Sequence, residues 1–284
     1  MNEISDLSVL GSLTKLKSLQ VGSSQVTDIS VLSGLTNLEE LYADFYQLTS
    51  ISALRNLTNL TSLRLKLYEV TDLSALGSLK NLTSLDLYGQ QITDISALGN
   101  LTNLTSLQLR GEQITDISVL KSLSNLETLR LEYQKLSDIE VLKSLPKLNY
   151  LTMSSCEIRD ISALGELTNL RSLSLYKGLN GDVNILRNLT NLTVLWLSGN
   201  DIKDIKGLSG LTKLRLLDLS RNQIEDISAL RDLKELNTLY LSENQIRDIS
   251  VLSGFTELEE LYIKDNPIQD YSPIEDLNLI TLEK

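Results

Sequence analysis

Histidine is missing from this chain, cysteine occurs once, proline three times, and aromatic side chains make up only 5% of its 284 residues. Each shortage closes off a chemistry. Without an imidazole, neither a serine or cysteine triad with a histidine base nor a helix-borne HExxH zinc site can be built. Cys156 has no second cysteine to pair with, so no disulfide framework exists within the monomer. Lys and Arg total 26 against 37 Asp and Glu, a formal charge of -11. That balance argues against nucleic acid and anionic membranes as partners, since both are held through cationic excess. No apolar run approaches the roughly 18 residues needed to cross a bilayer. The opening MNEISDLSVLGSL has neither the basic segment nor the apolar stretch of an export signal, so export would require a signal outside this sequence.

What the chain does have is repetition. Leucine recurs at 16, 38, 60, 82, 104, 126, 148, 170, 192, 214, 236 and 258, always 22 residues apart, and again three residues after each. An aspartate column runs at the same interval from Asp6 to Asp270, interrupted only by Ser50. A fixed period of this length signals a solenoid, in which one unit cannot bury its own apolar face and the stack supplies the core. The unit reads LxxLxLxx(N)xIxDIxxLxxL, as in LTVLWLSGNDIKDIKGLSGL at 192–211. Its LxL segment has the period of two of a short strand. The later apolar residues, such as Ile205, Leu208 and Leu211, are three apart and suit a 3₁₀ turn. The aspartate stands at the start of that turn, where its carboxylate accepts from unpaired N–H groups. A calcium row is the other reading of such a column, but turn capping accounts for every member, and no metal or cofactor is expected.

This pattern resembles the 22-residue leucine-rich repeat of the bacterial internalin-like (SDS22-like) class, from about Ile4 to Ile274. The ending NPIQDYSPI at 266–274 is similar to last repeats of the bacterial group. The helical N-terminal cap and immunoglobulin-like C-terminal domain of internalins are not found in this sequence. The resemblance implies an α/β solenoid, a horseshoe with a parallel β-sheet on its concave face and 3₁₀ turns on its convex face. The expected organisation is a single domain over 1–284: a half-repeat at 1–13, twelve strand-bearing repeats to about 274, and a short C-terminal end.

In such a fold the residues around the LxL leucines face out of the sheet. Aromatics gather there, at Tyr42, Tyr88, Tyr150, Tyr176, Trp196, Tyr240 and Tyr262, with Phe45, Tyr46, Tyr68 and Tyr133 expected on the rim where the strand turns. Phe255 and Tyr271 fall in core columns. Strand propensity and cross-strand pairing put some aromatics on any sheet. Exposed rigid aromatics are also the usual anchors of binding interfaces. Arg64, Arg110 and Arg130, interleaved with Asp86 and Glu132, form either solvated ion pairs or a charge-specific complement to the tyrosines. The ten partner-binding candidates are therefore the seven sheet-face aromatics and these three arginines.

Three further expectations follow. The asparagine column is filled only at Asn200, Asn222, Asn244 and Asn266; in the resemblance this side chain bridges neighbouring turns, so the first eight repeats should have a wider or less regular turn. Gly178, Asn180 and Gly181 should kink the eighth repeat. The edge of the first strand, Lys17 to Val21, should be uncapped and open to self-association.

The functional expectation is a non-enzymatic recognition or adhesion module, secreted or on a bacterial cell surface, that binds a protein on its concave face. The alternatives are an intracellular scaffold resembling the phosphatase regulators, located in the cytoplasm, and a glycan-binding module. A hydrolase is disfavoured by the missing histidine and by the lack of a non-repeating polar constellation.

Overall fold

The computed structural model describes residues 5–133, 135–136, 138–154, 158, 160–177, 179 and 181–284. Its chain forms two compact units, Met1–Leu148 with Cys156–Arg159, and Asn149–Ser155 with Asp160–Lys284. Each is a stack of strand, bend and 3₁₀ turn.

In the first unit the strands are β1 (Ser18–Ser23), β2 (Glu40–Phe45), β3 (Ser62–Leu67), β4 (Ser84–Gly89), β5 (Ser106–Arg110) and β6 (Thr128–Glu132). Every neighbouring pair is parallel and 22 residues out of step, as in Leu41 beside Leu63 beside Leu85. The second unit holds β7 (Tyr150–Ser154), β8 (Ser172–Tyr176), β9 (Val194–Trp196), β10 (Leu216–Asp218), β11 (Thr238–Tyr240), β12 (Glu260–Tyr262) and β13 (Thr281–Glu283), paired the same way. β13 corrects the expected count of twelve strands. Its register is Glu260 beside Thr281, a step of 21 rather than 22, so the fixed period hides it.

The leucine columns close into the core: Leu195, Leu217 and Leu239 are fully buried, as are Leu208, Leu211 and Leu214 from the turn side. Phe45, expected on the rim, is likewise a core residue, 1% exposed. At the first strand's edge Leu13 is exposed and Leu16 and Leu19 are only half-buried, as expected of a stack whose end is uncovered.

The aspartate column does what its position suggested. All twelve carboxylates, from Asp6 to Asp270, accept from the backbone N–H two residues on, at 2.7–2.9 Å. Where Ser50 interrupts the column its hydroxyl accepts from the Ser52 N–H at 3.2 Å. The backbone bond from Ser228 and the Ser228 hydroxyl hold the Asp226 carboxyl below its ordinary value, and seven others in the column shift the same way for the same reason. A second column at the same 22-residue interval has a role that the repeat pattern alone did not assign. Asn37, Asn59, Asn81, Asn103, Asn125 and Asn191 each donate through Nδ2 to a carbonyl 23 residues earlier, tying consecutive turns together.

The two units solve the bend after the strand differently. In β1 to β4 the strand continues for six residues, and its alternation gives a third inward position at Phe45, Leu67 and Gly89. The expected wider turn is not what replaces the missing asparagine there. Backbone pairing simply runs on, with Tyr46 donating to the Ser23 carbonyl and Gln90 to that of Leu67. In the last four repeats the regular strand is three residues long, and single backbone bonds continue beyond it, as from the Leu197 N–H to the Asp218 carbonyl and from Gly199 to Ser220. The residue before each asparagine, Gly199, Arg221, Glu243 or Asp265, takes a left-handed φ of 57–69°. That one reversal turns the following side chain inward. Asn222 then donates through Nδ2 to the Leu197 and Leu219 carbonyls and accepts from the N–H groups of Asn200 and Ile202, all at 2.9–3.0 Å. Asn200, Asn244 and Asn266 bridge their neighbours in the same manner.

In the eighth repeat, Gly181 has a φ of +83° and Leu179 is buried, its N–H held by Asn200 Oδ1 at 3.1 Å. Gly178, Asn180 and Cys156 lie outside the described residues.

Candidate functional site

On each strand the residues between the buried leucines stand on the opposite face of the sheet, as the period of two requires. All ten candidates are there, and none is buried. The structure brings some together and leaves others apart.

In the second unit one row runs Thr152, Ser174, Trp196, Asp218, Tyr240, Tyr262 along β7 to β12. Tyr240 and Tyr262, on adjacent strands, stack at 4.4 Å between ring centres and 14° between planes. Trp196 is two strands from Tyr240, yet its indole leans across β10 to within 5.7 Å of that ring, at 30°. Asp218 lies in the row between them and is only 9% exposed. Its Oδ1 accepts from the Ser220 N–H at 2.8 Å. Burial raises the Asp218 carboxyl above its ordinary value, outweighing the Ser220 bonds and the Arg221 charge that oppose it. Burial also raises the Tyr240 hydroxyl, with Tyr262 and Glu260 adding to the shift. Tyr150 and Tyr176 occupy flanking rows on β7 and β8, and Tyr176 has the Lys177 ammonium 5.6 Å from its ring centre.

The first unit's face carries a run of charged pairs beside its tyrosines. Asp86 sits between two guanidinium groups, 3.2 Å from Arg64 Nε and 3.4 Å from Arg110 Nη2. Glu132 accepts from Gln108 Nε2 at 2.8 Å. Arg110 Nε is 3.5 Å from Glu132 Oε2, near enough for an ion pair, and this buried nitrogen has no hydrogen-bond partner among the described residues. Lys66 and Asp44 pair at 3.2 Å. Arg130 stands on β6 in the row of Arg64, Asp86 and Gln108, and Tyr42 lines an open groove beside Asp44, Arg64 and Lys66.

Sequence reasoning treated Tyr46 and Tyr68 as rim residues at the asparagine column. Because the strands continue there, both lie at the sheet margin, stacked at 4.2 Å and 10°. Tyr88 leans on Tyr68 at 5.3 Å and 57°. Burial, then the Tyr46 hydroxyl and the Asp44 carboxylate, pushes the Tyr68 hydroxyl well above the ordinary phenol value. The signal for this second aromatic run was the missing asparagine itself.

The family model for leucine-rich repeats (two copies) matches residues 58–100, 80–122, 102–144, 124–166, 190–232 and 234–278. An internalin, InlF, of Listeria monocytogenes is 36% identical, with a TM-score of 0.85 over 99% of this chain and 84% of its own. The chain is an internalin-like leucine-rich repeat protein. Internalin C2 of the same organism is 34% identical over 65% of this chain and 83% of that one, with a TM-score of 0.60. A leucine-rich repeat protein of Leptospira interrogans, 23% identical, shares the fold at a TM-score of 0.77 over 98% of this chain and 80% of its own. No curated protein matches the sequence. As an internalin-like repeat protein the chain belongs to a class of protein-interaction scaffolds rather than of enzymes. No helix among the described residues is long and apolar enough to cross a membrane.

Proposed function

We propose that this internalin-like chain is a secreted or cell-surface recognition and adhesion module of bacterial type that binds a protein partner on the exposed sheet face of its second unit. The observation that carries the reading is the continuous aromatic surface of Trp196, Tyr240 and Tyr262, closed over a carboxylate that has lost most of its water. Rings already stacked have little rotamer freedom left to lose on binding. Aromatic anchors of this kind carry a disproportionate share of interface energy. Tyr150 and Tyr176 extend the same surface. The paired arginines of the first unit, Arg64 and Arg110, with Arg130 beside them and Tyr42 and Tyr88 at hand, form a separate polar surface that selects among partners by charge.

The test is binding of the whole chain to a panel of purified cell-surface ectodomains, measured for the natural sequence and for Trp196→Ala and Tyr240→Ala. Loss of an anchor should weaken binding about 30-fold or more. Unchanged affinity in both variants, with loss instead on substituting an exposed turn residue such as Lys206, would refute the sheet face as the site. The intracellular-scaffold alternative fails if the natural reading frame carries an export signal.

A further inference from the structure

A small recess at the margin of the first unit's sheet is lined by Tyr88, Gln90, Gln91, Gly111, Glu112, Gln113 and Tyr133, with about 300 Å³ of open space. We infer that it is a binding site for a single neutral sugar ring, separate from the aromatic stack of the second unit.

Two glycines stand at the recess in the column where β2 and β3 bury a large side chain. Phe45 and Leu67 fill this inward column in β2 and β3, whereas β4 ends at Gly89 and the next residue of the column is Gly111. A Cβ on Gly111 would lie 2.5 Å from the Gly89 carbonyl oxygen, and one on Gly89 would run into the Ile92 side chain. At Gly111, therefore, backbone approaches backbone, and at Gly89 it approaches the Ile92 side chain.

The lining fits the ligand class. Tyr88 is braced from one side by Tyr68. Tyr133 has a left-handed φ of 65° and is 51% exposed, a backbone conformation that a tyrosine rarely adopts and that lifts its ring clear of the sheet. Pyranose rings present an apolar C–H face that packs on such rings. Between the rings stand three carboxamides, each both donor and acceptor, and one carboxylate acceptor. None of the four side chains has a hydrogen-bond partner among the described residues, unlike Gln108 and Gln223, whose amides donate to Glu132 and Asp201. Sugar hydroxyls, which donate and accept at once, match that set. A phosphate or sulfate does not, because no lysine or arginine is among the described residues that line the recess and Glu112 would repel it. The volume is at the lower end for ligand pockets, enough for one ring.

Saturation-transfer NMR on the full chain with the methyl glycosides of glucose, galactose and N-acetylglucosamine tests this. At least one should receive saturation, with affinity falling about threefold to tenfold in Tyr133→Ala and in Gln113→Ala, as loss of one ring contact or paired amide predicts. Tyr133→Phe keeps the ring and should bind like the natural chain, and Trp196→Ala, which removes the proposed protein anchor, should leave sugar binding intact. No transfer to any of the three at about 50 mM, a concentration that reveals even millimolar affinity, would overturn the site. So would transfer that survives both Tyr133→Ala and Gln113→Ala, or that is lost in Tyr133→Phe.

Discussion

The two units of this protein share a repeat length, an aspartate column and a leucine core, yet they finish their strands in opposite ways. In β1 to β4 of the first, six-residue strands carry hydrogen bonding outward by backbone, and the residues of the asparagine column lie at the sheet margin. In β9 to β12 of the second, the regular strand is three residues long, a left-handed residue follows three positions after it, and the asparagine that comes next turns inward to bond carbonyls and N–H groups of neighbouring turns. The lesson is that a missing ladder residue need not leave a defect. One φ decides which face the column serves, and with it whether the position supports the core or builds surface. That is why Tyr46 and Tyr68 are part of an aromatic face, while Asn222 and Asn244 are buried.

The largest expected effect tests whether the asparagines are indispensable where they occur. Asn222→Ala strands the Leu197 and Leu219 carbonyls and the N–H groups of Asn200 and Ile202. It should cost about 3 kcal/mol in urea unfolding followed by circular dichroism, from buried groups left unpaired. Gln90→Ala, the same column in the first unit, should be nearly silent. Equal losses in the two would erase the distinction.

Tyr68→Asn asks the converse. If the long strand is intrinsic to the first unit, the introduced amide faces outward and gains nothing, while the stacks with Tyr46 and Tyr88 are lost. A destabilisation of about 1 kcal/mol is expected, and a gain in stability would show that the consensus turn was available all along.

Arg64→Ala probes the charged face. The Arg64 side chain is 47% exposed and Asp86 keeps Arg110 as a partner. A loss of about 0.5 kcal/mol is expected, shrinking further in high salt.

The smallest effect concerns Asp218. Its folded pKa is raised by burial above the ordinary carboxylate value of 3.8, so the folded state holds this proton more tightly than the unfolded one. Its favourable contribution is complete below the ordinary value and is lost as pH rises through the raised one. The capping aspartates have the opposite sign: their folded values are lowered, so their support is present at neutral pH and lost as the solution is acidified. Asp218→Asn keeps an acceptor for the Ser220 N–H and should remove only the decline on the alkaline side of pH 3.8, read as the difference between the two stability-versus-pH curves.

The sequence by itself determined the repeat, the core columns, the turn-capping role of the aspartates and the face on which Trp196, Tyr240 and Tyr262 stand. Those follow from periodicity, because a leucine every 22 residues and an alternation of two leave one way to bury the apolar side. It did not determine where pairing stops. Phe45, expected on the rim beside Tyr46, is in the core, since a strand that runs three residues further moves each side chain to the face its parity dictates. Nor did it determine that Trp196 reaches across β10 to Tyr240 and closes over Asp218, because that contact joins residues 44 apart and depends on the width of two strand spacings against the length of an indole. β13 escaped for the plainest reason, a register step of 21 that only its pairing with β12 reveals. Period and parity are written locally in the chain. The end of a strand is a choice between backbone and side-chain partners, and only the packed neighbours make it.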